Sequence, residues 1–115
     1  LIQAVALRLQ SNVRKSDTVG RLAGDEFVVV LPDIEGDSFA MAVADKIRDS
    51  LCQPFDLNEY QSHAISASIG VAIYPDHGLT EIELTRSADN AMYGAKSSGR
   101  NQVRLFQSTS SILLR

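Results

Sequence analysis

The sequence lacks the features of a disulfide-rich, secreted or membrane-spanning protein. It has one cysteine, Cys52, which cannot form an internal disulfide, and its position after the apolar Leu51 predicts a buried, unreactive thiol. No apolar run approaches the roughly 20 residues needed to cross a bilayer, and no basic segment followed by an apolar stretch opens the chain. We therefore expect a cytoplasmic protein, with no membrane contact by this segment.

An excess of positive charge is also missing. The formal net charge is −3, so the chain has no broad positive field that would attract a nucleic acid, and we expect no nucleic-acid partner. His63 and His77 lie far apart without a second ligand at metal spacing, which predicts surface or loop histidines and no zinc site. Any phosphate-bearing ligand must then be held by a local cluster of cations.

The composition that is present fits one globular domain: 115 residues, 44% hydrophobic and 22% charged. The pattern predicts a first helix over residues 1–13, a second from a cap at Asp37 or Ser38 to Leu51, and a third from a Thr80–Glu83 capping box to Gly99. Strands are predicted over residues 18–23, 26–31, 63–74 and 102–106.

Apolar spacing also predicts which faces are buried. The apolar run Phe27–Leu31 predicts a strand covered on both faces. The second helix is expected to bury Phe39, Ala42, Val43, Ile47 and Leu51, and the third Leu84, Ala88, Ala91, Met92 and Ala95. Leu1 has no capping residue before it, so we expect an upstream segment that begins the first helix. Residues 1–106 are predicted to form the domain, and the Ser-rich residues 107–115 a linker or tail.

The most informative local motif runs from Arg21 to Phe27. Gly24 and Asp25 are typical of a two-residue hairpin connection, which would place the adjacent carboxylates of Asp25 and Glu26 on a rigid turn. Such an acidic pair can bind a magnesium nucleotide, but alone it is more often solvated turn chemistry.

Two further motifs carry charge at helix ends. Lys96 and Arg100 lie around the predicted end of the third helix, where cations ordinarily complement the helix dipole but can also reach phosphates. Arg14 and Asp17 lie three residues apart after the first helix, which alone is most simply a local ion pair. Each motif is ambiguous by itself.

The order of these motifs along the chain is more specific than any one of them. The chain carries Arg14–Asp17, then Arg21–Phe27, the strand segment Ser66–Ala72, and finally Ala88–Lys96 followed by Gly99–Asn101. This series, from the first helix to Arg104, resembles GGDEF domains. The resemblance implies an α+β, palm-like fold, with an antiparallel-rich sheet flanked by helices and the N-terminal strand missing from this chain. It also implies synthesis of cyclic di-GMP from two GTP molecules, one held by each half of a homodimer.

The resemblance assigns roles to residues by position. Asp25 and Glu26 match the signature acids that bind Mg²⁺ or Mn²⁺ and help activate the attacking 3′-hydroxyl. Holding two ionised carboxylates close together is unfavourable, which favours a divalent cation between them and a triphosphate. The expected GTP contacts are Arg21, Gly24, Lys96 and Arg100. The expected inhibitory site, where product cyclic di-GMP docks, consists of Arg14, Asp17 and Lys46.

Two departures from the family pattern leave alternatives open. Ala23 stands where the family usually has glycine, adding a Cβ where a ligand passes the backbone. The first strand, which in the family supplies another metal-binding Asp, is missing, so this segment is expected to lack a complete active site. One alternative is a degenerate domain that binds GTP or cyclic di-GMP and regulates a neighbour such as an EAL-type phosphodiesterase. Another is a dimerisation module without a ligand.

Overall fold

A computed structural model describes residues 1–58 and 61–107. The chain divides into two compact units, Leu1–Ser66 and Ala67–Arg115. The first unit contains, in chain order, α1 (Ile2–Ser11), β1 (Thr18–Ala23), β2 (Glu26–Val30), α2 (Asp37–Leu51), β3 (Phe55–Asn58) and β4 (Gln61–His63). The second contains β5 (Ile69–Val71), α3 (Glu81–Ser97) and β6 (Val103–Leu105). The helices and short, mostly antiparallel strand pairs confirm the predicted α+β class.

The core of the first unit lies between α1, α2 and the start of β3. Helix α1 buries Val5 and Leu9, and α2 buries four residues at spacings of four, three and four: Ala40, Ala44, Ile47 and Leu51. This single stripe corrects the predicted buried face of α2, because Phe39 is 37% exposed and Ala42 is exposed. The observed buried stripe is rotated by about one residue from the predicted one, and the two share only Ile47 and Leu51.

The β1–β2 hairpin forms as predicted. Its strands pair antiparallel from Thr18–Val30 to Ala23–Glu26, with an irregularity between Arg21 and Ala23, and Gly24 and Asp25 make the turn. The predicted coverage of β2 on both faces is wrong for this chain. Val30 is 51% exposed and the rest of the strand is half-buried.

A second hairpin, β3–β4, was not predicted. Phe55 opens β3 and is only 2% exposed, with the Arg8 guanidinium 3.5 Å above its ring centroid. Arg8 also donates hydrogen bonds to the carbonyls of Ser50, Gln53 and Pro54. One α1 side chain therefore fastens the end of α2 and the start of β3. Cys52, in the same turn, is half-buried, so the prediction of a buried thiol is only partly right.

The second unit is a parallel strand pair covered by α3. Strands β5 and β6 pair over three residues each, and only Ile69–Val71 of the predicted strand 63–74 belongs to this pair. Residues 64–68 are not part of a strand, because they form no strand pairing with another described segment. At Gly70 an added Cβ would lie 2.0 Å from the Ala88 carbonyl oxygen, so α3 packs directly on the strand backbone.

The predicted capping box of α3 is present. Thr80 Oγ1 accepts from the Glu83 backbone N–H at 3.1 Å, and Glu83 Oε1 accepts from the Thr80 N–H at 3.2 Å. His77, as predicted, lies in a loop, and its Nδ1 accepts from the Ile73 N–H. None of the helices that the structure describes is both long and apolar enough to cross a bilayer. The predicted tail from residue 108 onward lies outside the described residues.

Candidate functional site

The β1–β2 turn presents two carboxylates. Gly24 has a φ of +49°, a left-handed conformation that glycine adopts without strain, and the Arg21 side chain braces the turn by donating from Nε to the Gly24 carbonyl at 2.7 Å. Asp25 is exposed, and Glu26, the first residue of β2, is half-buried. Neither carboxylate has an ion-pair partner among the described residues. The turn therefore offers two charged, uncompensated oxygen ligands on a braced scaffold.

These donors suit a hard cation that shares its ligands with phosphates. No group of three or more His, Cys, Asp or Glu side chains within residues 1–58 and 61–107 is arranged to hold a metal. Asp25 and Glu26 alone cannot make a closed cage. Magnesium, however, is commonly bound by one or two carboxylates together with water and substrate phosphates, and this donor set fits that mode.

The C-terminus of α3 carries the predicted cations in the second unit. Lys96 is half-buried in the last turn, and Arg100 is exposed in a left-handed conformation with a φ of +61°. The Arg100 N–H donates to the Ala95 carbonyl at 2.9 Å, and the Gln102 side chain donates to the carbonyls of Ser98 and Arg100. A helix C-terminus repels anions, so attraction for a phosphate here must come from the Lys96 and Arg100 side chains.

Arg14 and Asp17 form a closely bonded pair. Arg14 Nη2 lies 2.9 Å from Asp17 Oδ1, Nε lies 3.3 Å from both carboxylate oxygens, and the Arg14 backbone N–H donates to Oδ2 at 2.7 Å. Nη2 also donates to the Pro32 carbonyl at 2.8 Å. The Asp17 side chain is 2% exposed and that of Arg14 47%. The carboxylate is thus covered, while about half of the Arg14 side chain remains exposed.

This pairing shifts both pKa values. The Arg14 side-chain hydrogen bond lowers the pKa of Asp17 and outweighs burial, which acts in the opposite direction. The hydrogen bond from Arg14 to Asp17 likewise raises the pKa of Arg14. Both groups therefore stay charged at neutral pH. Beside them, Gln10, Val13, Arg14, Lys15, Asp17 and Val19 line an open depression of about 240 Å³.

Comparison with known protein families identifies the domain. A family model described as "Diguanylate cyclase, GGDEF domain" matches residues 1–102, most of the chain. The chain belongs to the GGDEF family. The hairpin acids of this GGDEF domain, Asp25 and Glu26, therefore lie in its signature, which reads Ala23-Gly24-Asp25-Glu26-Phe27.

Individual relatives support the assignment. The GGDEF domain is 43% identical over 109 residues to MucR of Pseudomonas aeruginosa, a bifunctional diguanylate cyclase/cyclic di-GMP phosphodiesterase. The aligned region covers 95% of this chain but only 16% of MucR. It is 40% identical to the diguanylate cyclase TpbB of the same species and spans 23% of that protein. The chain thus spans less than a quarter of the length of these curated relatives.

Solved structures agree in fold. The GGDEF domain of TpbB from P. aeruginosa superposes with a TM-score of 0.89 at 35% identity, covering 98% of this chain and 66% of that one. The GGDEF domain of DgcB from Caulobacter crescentus, solved in complex with c-di-GMP, gives a TM-score of 0.77 at 25% identity, covering 90% and 61%. The palm-like GGDEF fold predicted from the motifs is confirmed.

The structure brings some predicted site residues together within each unit. Arg14 and Asp17 are in direct contact, and Arg21, Gly24, Asp25 and Glu26 share the hairpin. Lys46 is exposed on α2, and Lys96 and Arg100 share the end of α3. Sequence reasoning missed two neighbours of Arg14: the Pro32 carbonyl and the Phe39 ring, whose centroid is 5.5 Å from Arg14 Cζ. The sequence pattern that could have indicated Phe39 is its position seven residues before Lys46, which places both residues on the same face of α2.

Proposed function

We propose that this GGDEF domain acts in a diguanylate cyclase, which condenses two GTP molecules into cyclic di-GMP. The observation that carries the proposal is the braced turn that presents Asp25 and Glu26 without an internal partner. Uncompensated adjacent carboxylates destabilise a fold slightly unless a cation joins them, so their presence on a rigid turn favours a ligand-binding role.

The two acids share both roles in this proposal. Asp25 and Glu26 hold the divalent cation, Mg²⁺ or Mn²⁺, and help to activate the attacking 3′-hydroxyl. When bound, the cation would neutralise charge that develops on the transferring phosphoryl group. Asp25 lies at the tip of the turn and Glu26 at the start of a paired strand, so the backbone holds the position of each.

Four residues are proposed to contact GTP. Gly24 is proposed to let the turn backbone approach the nucleotide, because it has no Cβ. Among the described residues no atom would contact an added Cβ, so the fold itself requires glycine here only for the left-handed backbone. Within residues 1–58 and 61–107, Arg21 uses only one of its five N–H donors, Nε, to brace the turn. Lys96 and Arg100 are proposed to bind the phosphates, Arg100 in bidentate fashion and Lys96 as a point charge.

Arg14, Asp17 and Lys46 are proposed to form a site for the product, cyclic di-GMP, which inhibits the enzyme. Asp17 fixes the Arg14 guanidinium through its Nε–Nη2 edge, so the side chain is already ordered before a ligand arrives. An ordered arginine loses less conformational entropy on binding than a free one. We further propose that the domain occupies residues 1–106, is cytoplasmic and works as a homodimer.

The test of the cyclase activity compares Glu26→Gln with the parent sequence in the full-length protein that carries this domain. Cyclic di-GMP formed from GTP and Mg²⁺ is measured by chromatography. We expect Glu26→Gln to lower kcat about 100-fold or more, as loss of one transition-state charge contact does in other enzymes. Glu35→Gln, an equally small change at an exposed loop carboxylate, should leave the rate unchanged. Equal rates for Glu26→Gln and the parent would refute the proposal.

A second function is favoured by the ordered Arg14–Asp17 pair and by the related DgcB domain solved with c-di-GMP. In this alternative the domain only binds GTP or cyclic di-GMP and regulates a neighbouring domain, such as an EAL-type phosphodiesterase. Nucleotide binding without product, in the same assay, would support it. Turnover of GTP that depends on Glu26 would exclude it.

A further inference from the structure

Phe39 is an exposed aromatic side chain of α2 that lies outside the buried core. It lies in the first turn of α2 and is 37% exposed, whereas the buried stripe of that helix starts at its neighbour Ala40. Its ring centroid is 5.5 Å from Arg14 Cζ, within the range of a cation–π contact. A partly exposed aromatic ring beside an ordered cation can be covered by a planar ligand.

The donors of Arg14 show where such a ligand would bond. A guanidinium has five N–H groups. Nε and Nη2 donate to Asp17 and Pro32, which uses three of the five, and Nη1 donates no hydrogen bond within residues 1–58 and 61–107. The Nη1 edge therefore remains open to an acceptor while Asp17 keeps the guanidinium plane in place.

Lys46 is placed to serve the same ligand. Phe39, Val43 and Lys46 follow the i, i+4, i+7 spacing, which puts them on one face of α2. Lys46 is exposed, so this face carries an aromatic ring at its N-terminal end and a cation two turns along. A molecule with a planar base and a phosphate matches both features.

We propose that Phe39 is the base-stacking residue of the inhibitory site, packing against a guanine of cyclic di-GMP whose O6 or N7 accepts from Arg14. This inference rests on the inhibitory site proposed above. Arginine pairs well with the O6/N7 edge of guanine, and an aromatic face binds the flat surface of any base. The arginine then selects guanine, and Phe39 contributes affinity.

The test uses the chain of 115 residues, which contains no tryptophan, so Phe39→Trp introduces a single tryptophan, excited separately from the three tyrosines, at the proposed contact. Titration with cyclic di-GMP should quench this tryptophan with a saturable curve. In calorimetry, Phe39→Ala should weaken binding roughly 5- to 150-fold, the loss expected for one base–aromatic stack. Phe39→Leu, which keeps apolar volume without an aromatic face, should also weaken it. Tyr93→Ala, which removes a 72% exposed aromatic on α3, is the matched control and should bind normally.

The outcomes separate this inference from the proposal on which it rests. Binding by the parent chain that is lost in Arg14→Ala but kept in Phe39→Ala would overturn the role of Phe39 and leave the inhibitory site intact. Absence of binding by the correctly folded parent chain, checked by circular dichroism, would overturn both. Equal losses in Phe39→Ala and Tyr93→Ala would also count against a specific stack at Phe39.

Discussion

Among single residues, Asp17 has the most clearly defined role, because its carboxylate is covered and bonded to Arg14 from three nitrogens. The pair sets the conformation of the turn between α1 and β1. Since Asp17 is also the residue that holds the Arg14 guanidinium, its charge links the stability of this turn to the order of the proposed inhibitory site.

We predict that Asp17→Asn destabilises the chain at neutral pH and that the difference shrinks in acid. The pKa of Asp17 is lowered in the folded state by its hydrogen bond from Arg14, so its contribution to stability is present above the unfolded-state pKa and is lost as pH falls through the folded value. Melting temperatures of the two proteins should therefore differ at pH 7, and the difference should begin to shrink as the pH falls below about 4.

The matched control for Asp17 is Asp45, whose side chain is 64% exposed and pairs with Arg48 at 2.8 Å on α2. Exposed pairs of this kind contribute little to stability. Asp45→Asn should therefore change the melting temperature only slightly at any pH. A gap for Asp17→Asn that stays constant from pH 7 to pH 3 would contradict the role assigned to its charge.

How far the site could be predicted depended on sequence distance. The Arg14–Asp17 pair and the acids on the Gly24 turn involve residues at most three apart, so local geometry was enough to anticipate them. Pro32 and Phe39 lie 18 and 25 residues after Arg14. Pro32 reaches it because β2 pairs back along β1, and Phe39 because α2 packs against α1. No periodicity encodes such a contact, and the predicted buried face of α2 wrongly placed Phe39 in the core.

At the scale of elements, the α3 capping box and the Gly24 turn predicted boundaries better than apolar patterns did. The cap predicted at Asp37 or Ser38 was wrong, because the N-cap of α2 is Gly36 and no described side chain caps that helix. The Thr80–Glu83 box and the Gly24 turn form as expected because both depend on hydrogen bonds between near neighbours. The alternating pattern over residues 63–74 failed because a strand also needs a partner, and β6 pairs with only Ile69–Val71. The β3–β4 hairpin was missed because β3, Phe55–Asn58, alternates apolar and polar residues over only four positions, and β4, Gln61–His63, contains no apolar residue.

The packing of α3 on β5 leads to a paired glycine prediction. At Gly70 a Cβ would lie 2.0 Å from the Ala88 carbonyl oxygen and 2.3 Å from the Met92 nitrogen, both of them helix backbone atoms that cannot move independently. Gly70→Ala should therefore destabilise the chain by about 3 kcal/mol or more. Gly94 lies on α3 itself, and apart from its chain neighbours and the adjacent helix backbone no atom of the described residues lies within 4 Å of such a Cβ. Gly94→Ala should stabilise the chain by about 0.5–1 kcal/mol.

Urea denaturation of the two alanine variants and the parent chain measures both effects. The expected result is a lower midpoint for Gly70→Ala and a higher midpoint for Gly94→Ala, with similar slopes. Similar midpoints for both variants would mean that α3 does not contact the β5 backbone as closely as described.

At the scale of the whole molecule, the family was predictable because its motifs occur in a fixed order, although each motif alone had a simpler structural explanation. The Gly24 turn, the Arg14–Asp17 pair and the cations at the end of α3 can each be explained alone by ordinary turn, ion-pair and capping chemistry. Their occurrence together in one chain is explained by its membership of the GGDEF family. Subunit pairing can be tested as well. Cyclic di-GMP contains two phosphodiester bonds between its GMP units, and in the proposed homodimer each subunit forms one of them.

The proposed homodimer predicts that inactive subunits suppress active ones. We assume that both subunits of a dimer must be active. When Glu26→Gln protein is mixed with parent protein in ninefold excess and subunits pair at random, about one parent subunit in ten has a parent partner. The rate of cyclic di-GMP formation at a fixed amount of parent protein should then fall to about one tenth of its value. Glu35→Gln protein added in the same excess should instead raise the rate, since it is competent itself. A rate that does not change with added Glu26→Gln protein would show that one subunit makes both bonds, and the dimeric mechanism would have to be abandoned.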